Sequence, residues 1–284
     1  MKRKPDYVNL VLILVFFVGL SVLLYPTVSD WWNAKVQSRA IVDYESLLSA
    51  FKPEDYTEEF RKADEYNAAI RQVDYPMMYY DRVPGYDDIL NITGKGIMGY
   101  VSIEKIKVQL PIYHGTGEAV LNVAVGHVQG TSLPVGGPGT HSVLSAHRGL
   151  PSARLFTDLD KMEVGDVFTL TILDRVLTYQ VHKIEIVLPN QVDSLYPVEG
   201  EDYCTLTTCT PYGVNTHRLL VHGTRVETPE QKNIYIASDA FPINSLILTP
   251  IVAAPMLLLL LIILLVKHPG RKPDTQERRP DHDM

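Results

Sequence analysis

Cysteine is scarce in this sequence: 284 residues hold two, Cys204 and Cys209. In one extended strand they lie about 16 Å apart at ~3.3 Å per residue, far beyond disulfide reach. Their odd spacing also sends them to opposite faces. At least one thiol therefore stays free. Burial as a small apolar residue accounts for Cys204, whereas a free Cys209 needs another reason. There is no glycine-rich phosphate loop, internal repeat or low-complexity tract, and the spacing of histidines and carboxylates matches no metal motif. Glu104, Glu118 and Glu163 are too scattered for a calcium site, so no metal and no other cofactor is expected. A basic excess is missing too. Eight of the 26 Lys and Arg and five of the 33 Asp and Glu lie in two short tails. Between the tails 18 basic residues face 28 acidic ones, a net of −10. That is a poor surface for nucleic acid, and no nucleic-acid partner is expected.

What the sequence does have is two long apolar blocks. Residues 7–25 are almost unbroken (YVNLVLILVFFVGLSVLLY) and follow Lys2, Arg3 and Lys4. Residues 246–266 form the second block, followed by Lys267, Arg271, Lys272, Arg278 and Arg279. Each approaches the ~20 residues that cross a bilayer's hydrocarbon, and their basic flanks put both termini in the cytoplasm and the middle of the chain outside. The first block could instead be a cleaved signal peptide, but PTVSDWWN offers no small-x-small site, which favours an uncleaved anchor. Pro250 and Pro255 kink the first half of the second block or leave it outside the bilayer.

Between the blocks, Ser29 or Asp30 is placed to cap a helix over Trp31 to Ala50, and Phe51-Lys52-Pro53 ends it. Thr57, with Glu58 and Glu59 in the first turn, opens a second helix to about Arg71. The pair reads as a hairpin packed on the exterior domain or as a stalk. Residues 73–88 (VDYPMMYYDRVPGYDD) have no period, and a loop of that length is either functional or a plain connector. From Ile97 onward eight short runs recur: GYVSI, KVQLPIY, AVLNVAVG, HSVLSA, VFTLTIL, VLTYQVHKIEIVL, YCTLTT and RLLVHGTRV. Turn signals separate them, and such a series predicts a mainly β, closed or nearly closed barrel.

Chemistry concentrates in YCTLTTCTPYGVNTHRLLVHGTR. Cys209 ends one strand-like run and Arg218 begins the next, with Pro211, Gly213 and Asn215 forming the turn between them. A strand, an irregular connection and a returning strand bring thiol and guanidinium side by side at one rim. That suits an acyl-transfer nucleophile, since the thiolate attacks; a buried cysteine beside a surface arginine fits the same spacing. Seven histidines could supply the base. His147 follows a buried-looking strand and precedes a glycine turn, while His217 neighbours Arg218 and so faces away from whatever Arg218 faces.

The run TLTTC followed by THR resembles the sortase signature, and SAHRGLPSARLFTDLDKMEVGD is similar to the segment that carries the sortase histidine. MGYVSIEKIKVQLPIYHGT and HVQGTSLPVGG are similar to the pilus-building class C sortases of Gram-positive bacteria, and the resemblance extends from about Asp55 to Glu227. It implies a closed eight-stranded sortase-type β-barrel with N-terminal helices and flanking transmembrane helices. It also implies a catalytic triad of His147, Cys209 and Arg218, with Thr208 as a substrate-contacting neighbour. By resemblance the chain is a membrane-anchored cysteine transpeptidase. It would cleave an LPxTG-like sorting signal between Thr and Gly and pass the acyl group to a pilin lysine, so its partners are pilin subunits with C-terminal sorting signals and the lipid bilayer. Anchoring of surface proteins to a cell-wall precursor is the alternative. Class C enzymes usually carry an Asp-Pro-aromatic lid; this sequence has Asp74-Tyr75-Pro76 and Asp81-Arg82-Val83-Pro84, so Asp74, Tyr75 and Asp81 are the lid candidates, in a lid differently built or absent as a plug. The expected division is a cytoplasmic tail at 1–6, a transmembrane anchor at 7–25, helices and a lid-like loop at 26–96 and the catalytic barrel at 97–228. A linker at 229–245, a second transmembrane helix at 246–266 and a cytoplasmic tail at 267–284 follow.

Overall fold

Alternating apolar and polar residues shape the centre of the molecule. In the computed structural model, which describes residues 7–228 and 256–258, they form β1 (Ile97–Ile103), β2 (Val108–His114), β3 (Val125–His127), β4 (Thr140–Ser145), β5 (Val167–Ile172), β6 (Arg175–Val187), β7 (Asp202–Thr210) and β8 (His217–Val226). The strands close into a barrel in the order β1-β2-β3-β4-β7-β8-β6-β5, and β5 pairs back onto β1. Two junctions, β2–β3 and β4–β7, are parallel; the others are antiparallel. Closure leaves no unpaired sheet edge.

The alternation of side chains sorts each strand into two faces. On β7, Cys204 and Leu206 point into the barrel core with Val221 of β8 and Phe168 of β5. On the outside, Val143 of β4 and Leu220 of β8 form a separate buried cluster with Leu195 from the β6–β7 connection. The run AVLNVAVG is not one strand: Glu118–Leu121 form a short helix, α3, and β3 keeps three residues. Gly117 opens α3, and Val120 and Leu121 donate their backbone N–H groups to its carbonyl, which withdraws that half from the sheet.

Upstream, α1 covers Tyr7–Leu48 with Pro26 inside it, and α2 covers Pro53–Ile70. The expected start at Ser29 or Asp30 is thus corrected: the helix runs through them, and Asp30 accepts a hydrogen bond from the backbone N–H of Arg154 instead. Proline at the first position of α2 is suited to it, since its missing N–H would have no helical partner there. Asp55 accepts from the N–H of Lys52 and caps that end, in place of Thr57. α1 is long and apolar enough to cross a membrane, and Val11, Leu14, Val15, Val18 and Val22 stand exposed along it. The chain divides into two compact units between Thr27 and Val28. In the second unit Phe60, Ala63, Tyr66 and Ile70 make an apolar stripe on α2 that packs into the barrel's core cluster. Asn67 fixes its rotation by bonding both backbone groups of Leu133, at 2.7 and 3.3 Å. Tyr44 of α1 donates to the carbonyl of Met98 and accepts from the N–H of Leu173. The expected tails, linker and second span lie outside the described residues apart from 256–258, which are helical.

Candidate active site

Antiparallel pairing of β7 with β8 sets Cys209 directly opposite Arg218. Residues paired in this way project to the same face, and here that face is the outer one, since Thr208 and Leu219 take the inner side. Both side chains are half-buried. The arginine donates to the carbonyl of His217 at 3.2 Å, and among the described residues it forms no ion pair. Its guanidinium keeps donors free for a ligand.

The third group arrives by the parallel junction. Ser145 of β4 is level with Thr207 of β7, and the N–H of Ala146 extends the ladder to the Thr207 carbonyl. The two threonines flanking Cys209 then clasp the two residues flanking His147. Thr208 donates its hydroxyl to the carbonyl of Ala146 at 2.7 Å, and Arg148 donates to the hydroxyl of Thr210 at 3.1 Å. Arg148, 9 % exposed, also pairs with Asp160. Ala146 lies in the core and Arg148 is drawn to Thr210, so half-buried His147 sits just past the end of β4, between two residues tied to the neighbours of Cys209. Past it the chain turns at Gly149, whose φ of +75° suits glycine; Phe156 bonds back to the carbonyl of His147.

The structure therefore brings the rungs of His147, Cys209 and Arg218 together at one end of three adjacent strands. It does not do the same for Thr208. That side chain is 1 % exposed and faces the core, so the expectation of a substrate-contacting residue is replaced by a tie holding Ala146. Arg148 went unnoticed in the sequence. Its one signal was a charged residue directly after an apolar strand and before a turn glycine. The other thiol, Cys204, is fully buried and free, and burial raises its pKa well above the usual thiol range. It is inert in the folded state.

Of the lid candidates, Asp74, Tyr75 and Asp81 are all exposed, and Tyr75 adopts a positive φ of 53°. Val73 and Val83 pack on the core cluster, and the two residues after Tyr75 also meet the barrel. Pro76 is buried, and Met77 packs against the outer cluster of Val143, Leu195 and Leu220. Gly130 makes that seat possible, because a Cβ there would stand 2.3 Å from the Pro76 carbonyl oxygen. Tyr86 pins the far end of the segment, within 3.0 Å of His127 Nδ1 and accepting from the N–H of Gly115. The segment thus lies along the outer face beside Leu220, two residues from Arg218. Among the described residues no group of three His, Cys, Asp or Glu is placed to hold a metal.

Comparison with known proteins identifies the kind of domain this is. Residues 101–226 match the Sortase domain family. Sortase C1 from Streptococcus agalactiae is 50% identical, with a TM-score of 0.64, over 67% of this chain and all of that one. A Streptococcus pneumoniae sortase C structure that bears on catalysis and pilin substrate specificity is 39% identical over 67% of this chain and 97% of its own, with a TM-score of 0.59. Sortase A of Streptococcus agalactiae is 30% identical over 137 residues, 47% of this chain and 55% of that protein. The chain thus spans little more than half the length of that curated relative.

Proposed function

Because the chain belongs to the sortase family, we propose that it is a membrane-anchored cysteine transpeptidase that joins pilin subunits. The barrel matches structures of class C sortases along most of their length, and α1 is suited to anchoring it. In this reading the barrel stands outside the membrane. The pairing of Cys209 with Arg218, and the clasps Thr208–Ala146 and Arg148–Thr210 that tie the neighbours of Cys209 to those of His147, are what support the proposal.

Cys209 Sγ attacks the carbonyl carbon of the threonine in an LPxTG-like signal, and the C–N bond to glycine breaks. His147 delivers the proton to the departing amine, leaving a thioester. It then accepts a proton from a lysine amine of the next pilin as that nitrogen displaces the sulfur and forms an isopeptide bond. Arg218 donates to the oxygen on which negative charge gathers, a role worth ~2.7–4 kcal/mol when one such donor is removed elsewhere. Its fixed planar fork makes lysine a poor replacement. The alternative acceptor, a cell-wall precursor amine, uses the same first half-reaction.

The test is direct. The full chain in detergent, incubated with a sorting-signal peptide and no amine, is expected to gain the mass of the acyl fragment on Cys209. Adding pilin should then yield an amide-linked product. An adduct on Cys204, or none with either cysteine present, would overturn the reading. A product formed only with the wall precursor would select the alternative.

A further inference from the structure

Four residues beyond Arg218 on the same face lies a buried row of polar groups that this chemistry leaves unused. His141 of β4 comes within 2.7 Å of the Thr205 hydroxyl through Nε2, and the same hydroxyl lies 2.7 Å from His222 Nδ1. His222 Nε2 stands 3.0 Å from a carboxylate oxygen of Glu185 on β6. At the other end His141 Nδ1 is 3.2 Å from the carbonyl of Tyr196. His141, Thr205 and His222 are buried, at 1 %, 0 % and 3 % exposure, so water cannot stand in for a missing partner.

The hydrogens can be counted. Four contacts in a line need four hydrogens, and both ends are acceptors. Tyr196 contributes a carbonyl. Glu185 contributes an ionised carboxylate, because hydrogen bonds from Lys183, Ser194 and His222 outweigh its burial and hold it down at about 2. Two neutral imidazoles bring one N–H each and the threonine brings one O–H, which makes three. The fourth contact closes only when the row takes up one more proton. Without it two lone pairs meet, and the Tyr196 contact yields first: it is the longest, and its carbonyl sits on a loop.

That loop, residues 188–201, borders the site. Its turn at Asp193–Leu195 sets Leu195 against Val143 and Leu220, and Val187, at its base, pairs with Arg218. We propose that His141, Thr205, His222 and Glu185 form a one-proton positioning device that seats the 188–201 loop as a wall of the groove beside Cys209 and Arg218. The functional part of this statement rests on the transpeptidase reading; the proton count does not.

The groups facing the row determine when the proton enters. Burial pushes His141 down to about 4, opposed by the Tyr196 carbonyl and reinforced by His222 and His182. Burial also lowers His222, with Glu185 working against it and Lys183 and His182 with it. His182 stacks on Tyr203, and Glu201 bears on both. The seated loop offers an acceptor that the unseated loop withdraws, so seating raises the proton affinity of His141 and falling pH favours the seated state.

Two measurements on the full chain in detergent test this. Histidine-selective 15N NMR from pH 8 to pH 3 should show His141 and His222 gaining one proton between them. Two rings that stay neutral throughout, or that each take a full proton independently, overturn the proposal. This count needs no substrate, so its failure is separable from a failure of Cys209 to form an adduct. For the second, the KM for sorting-signal peptide in Thr205→Val relative to the parent should widen about twofold as pH drops from 8 to 4, where the row is about half protonated, while the kcat ratio stays flat. A KM ratio independent of pH refutes the positioning role. His141→Gln, whose amide keeps a donor but cannot titrate, should bind peptide with KM independent of the row's protonation and serves if the valine variant folds poorly.

Discussion

Two cysteines on one strand meet opposite fates. Cys204 and Cys209 share β7 five residues apart, and the odd interval sends them to different sides of the barrel wall. The inner one sits at zero exposure, and burial raises its pKa well above the usual thiol range. The outer one lies half-buried opposite an arginine with free donors. Thiol chemistry is thus allotted by which face of the pleat a side chain occupies. The inner face of β7 supplies packing and ties, and in the proposed mechanism the outer face supplies the nucleophile.

The sharpest way to break this comparison is to remove each sulfur. Cys209→Ala should lower turnover of a sorting-signal peptide by ~10⁴-fold or more, as losing a nucleophile does in other acyl-transfer enzymes. Near-parental rates would make the two thiols equivalent and end the distinction. Arg218→Lys comes next, with an expected loss of ~10²–10³-fold in kcat and an unchanged melting curve. Arg148→Met tests whether the inner face steers the outer one. Losing its hold on Thr210 and Asp160 should cost about 1–3 kcal/mol of stability and ~10–100-fold in kcat through misplacement of His147. A variant that loses stability and keeps kcat would reduce Arg148 to a structural residue.

Cys204→Ser moves the other way. Turnover of the surviving protein should stay within about twofold of the parent, while a hydroxyl in the apolar core costs ~1–3 kcal/mol in chemical denaturation. Iodoacetamide should label one thiol in the folded chain and two after unfolding. The smallest effect belongs to Glu185, whose depressed pKa stabilises the fold above the ordinary carboxylate range. That contribution is lost as pH falls from about 4.5 towards about 2. Glu185→Gln should flatten the acid limb of stability over that interval, and an unaltered limb would contradict the assignment.

The strands and the facing pair Cys209 and Arg218 were readable because each is signalled locally. Alternation marks β1, β5 and β7, and Cys209 and Arg218 lie nine residues apart, on either side of a turn. What the sequence hid depends on groups that meet only after folding. His141, Thr205, His222 and Glu185 come from four strands, and no spacing along the chain announces a hydrogen-bonded row across them. Arg148 drew no notice because its burial depends on Asp160 and Thr210, twelve and 62 residues away. The order Asp74-Tyr75-Pro76 drew attention to exposed side chains, whereas the seat at Gly130 is filled by Pro76 and Met77. The continuous α1 escaped for another reason: a proline inside an exposed helix costs one hydrogen bond and does not have to end it.

The parallel seam between β4 and β7 has a consequence for how the protein tolerates change. Strands that run side by side in the same direction are joined by a long excursion, here through β5 and β6, so no tight hairpin dictates their alignment. Were one to slide a single rung past the other, the side chains would exchange faces and the guanidinium of Arg148 would lose Thr210. Two hydroxyls, on Thr208 and Thr210, act as the stops against that slide. Lengthening the excursion by a few residues at its exposed turns should leave the centre in tune, whereas adding one residue between Ser145 and His147 should silence it without unfolding the barrel.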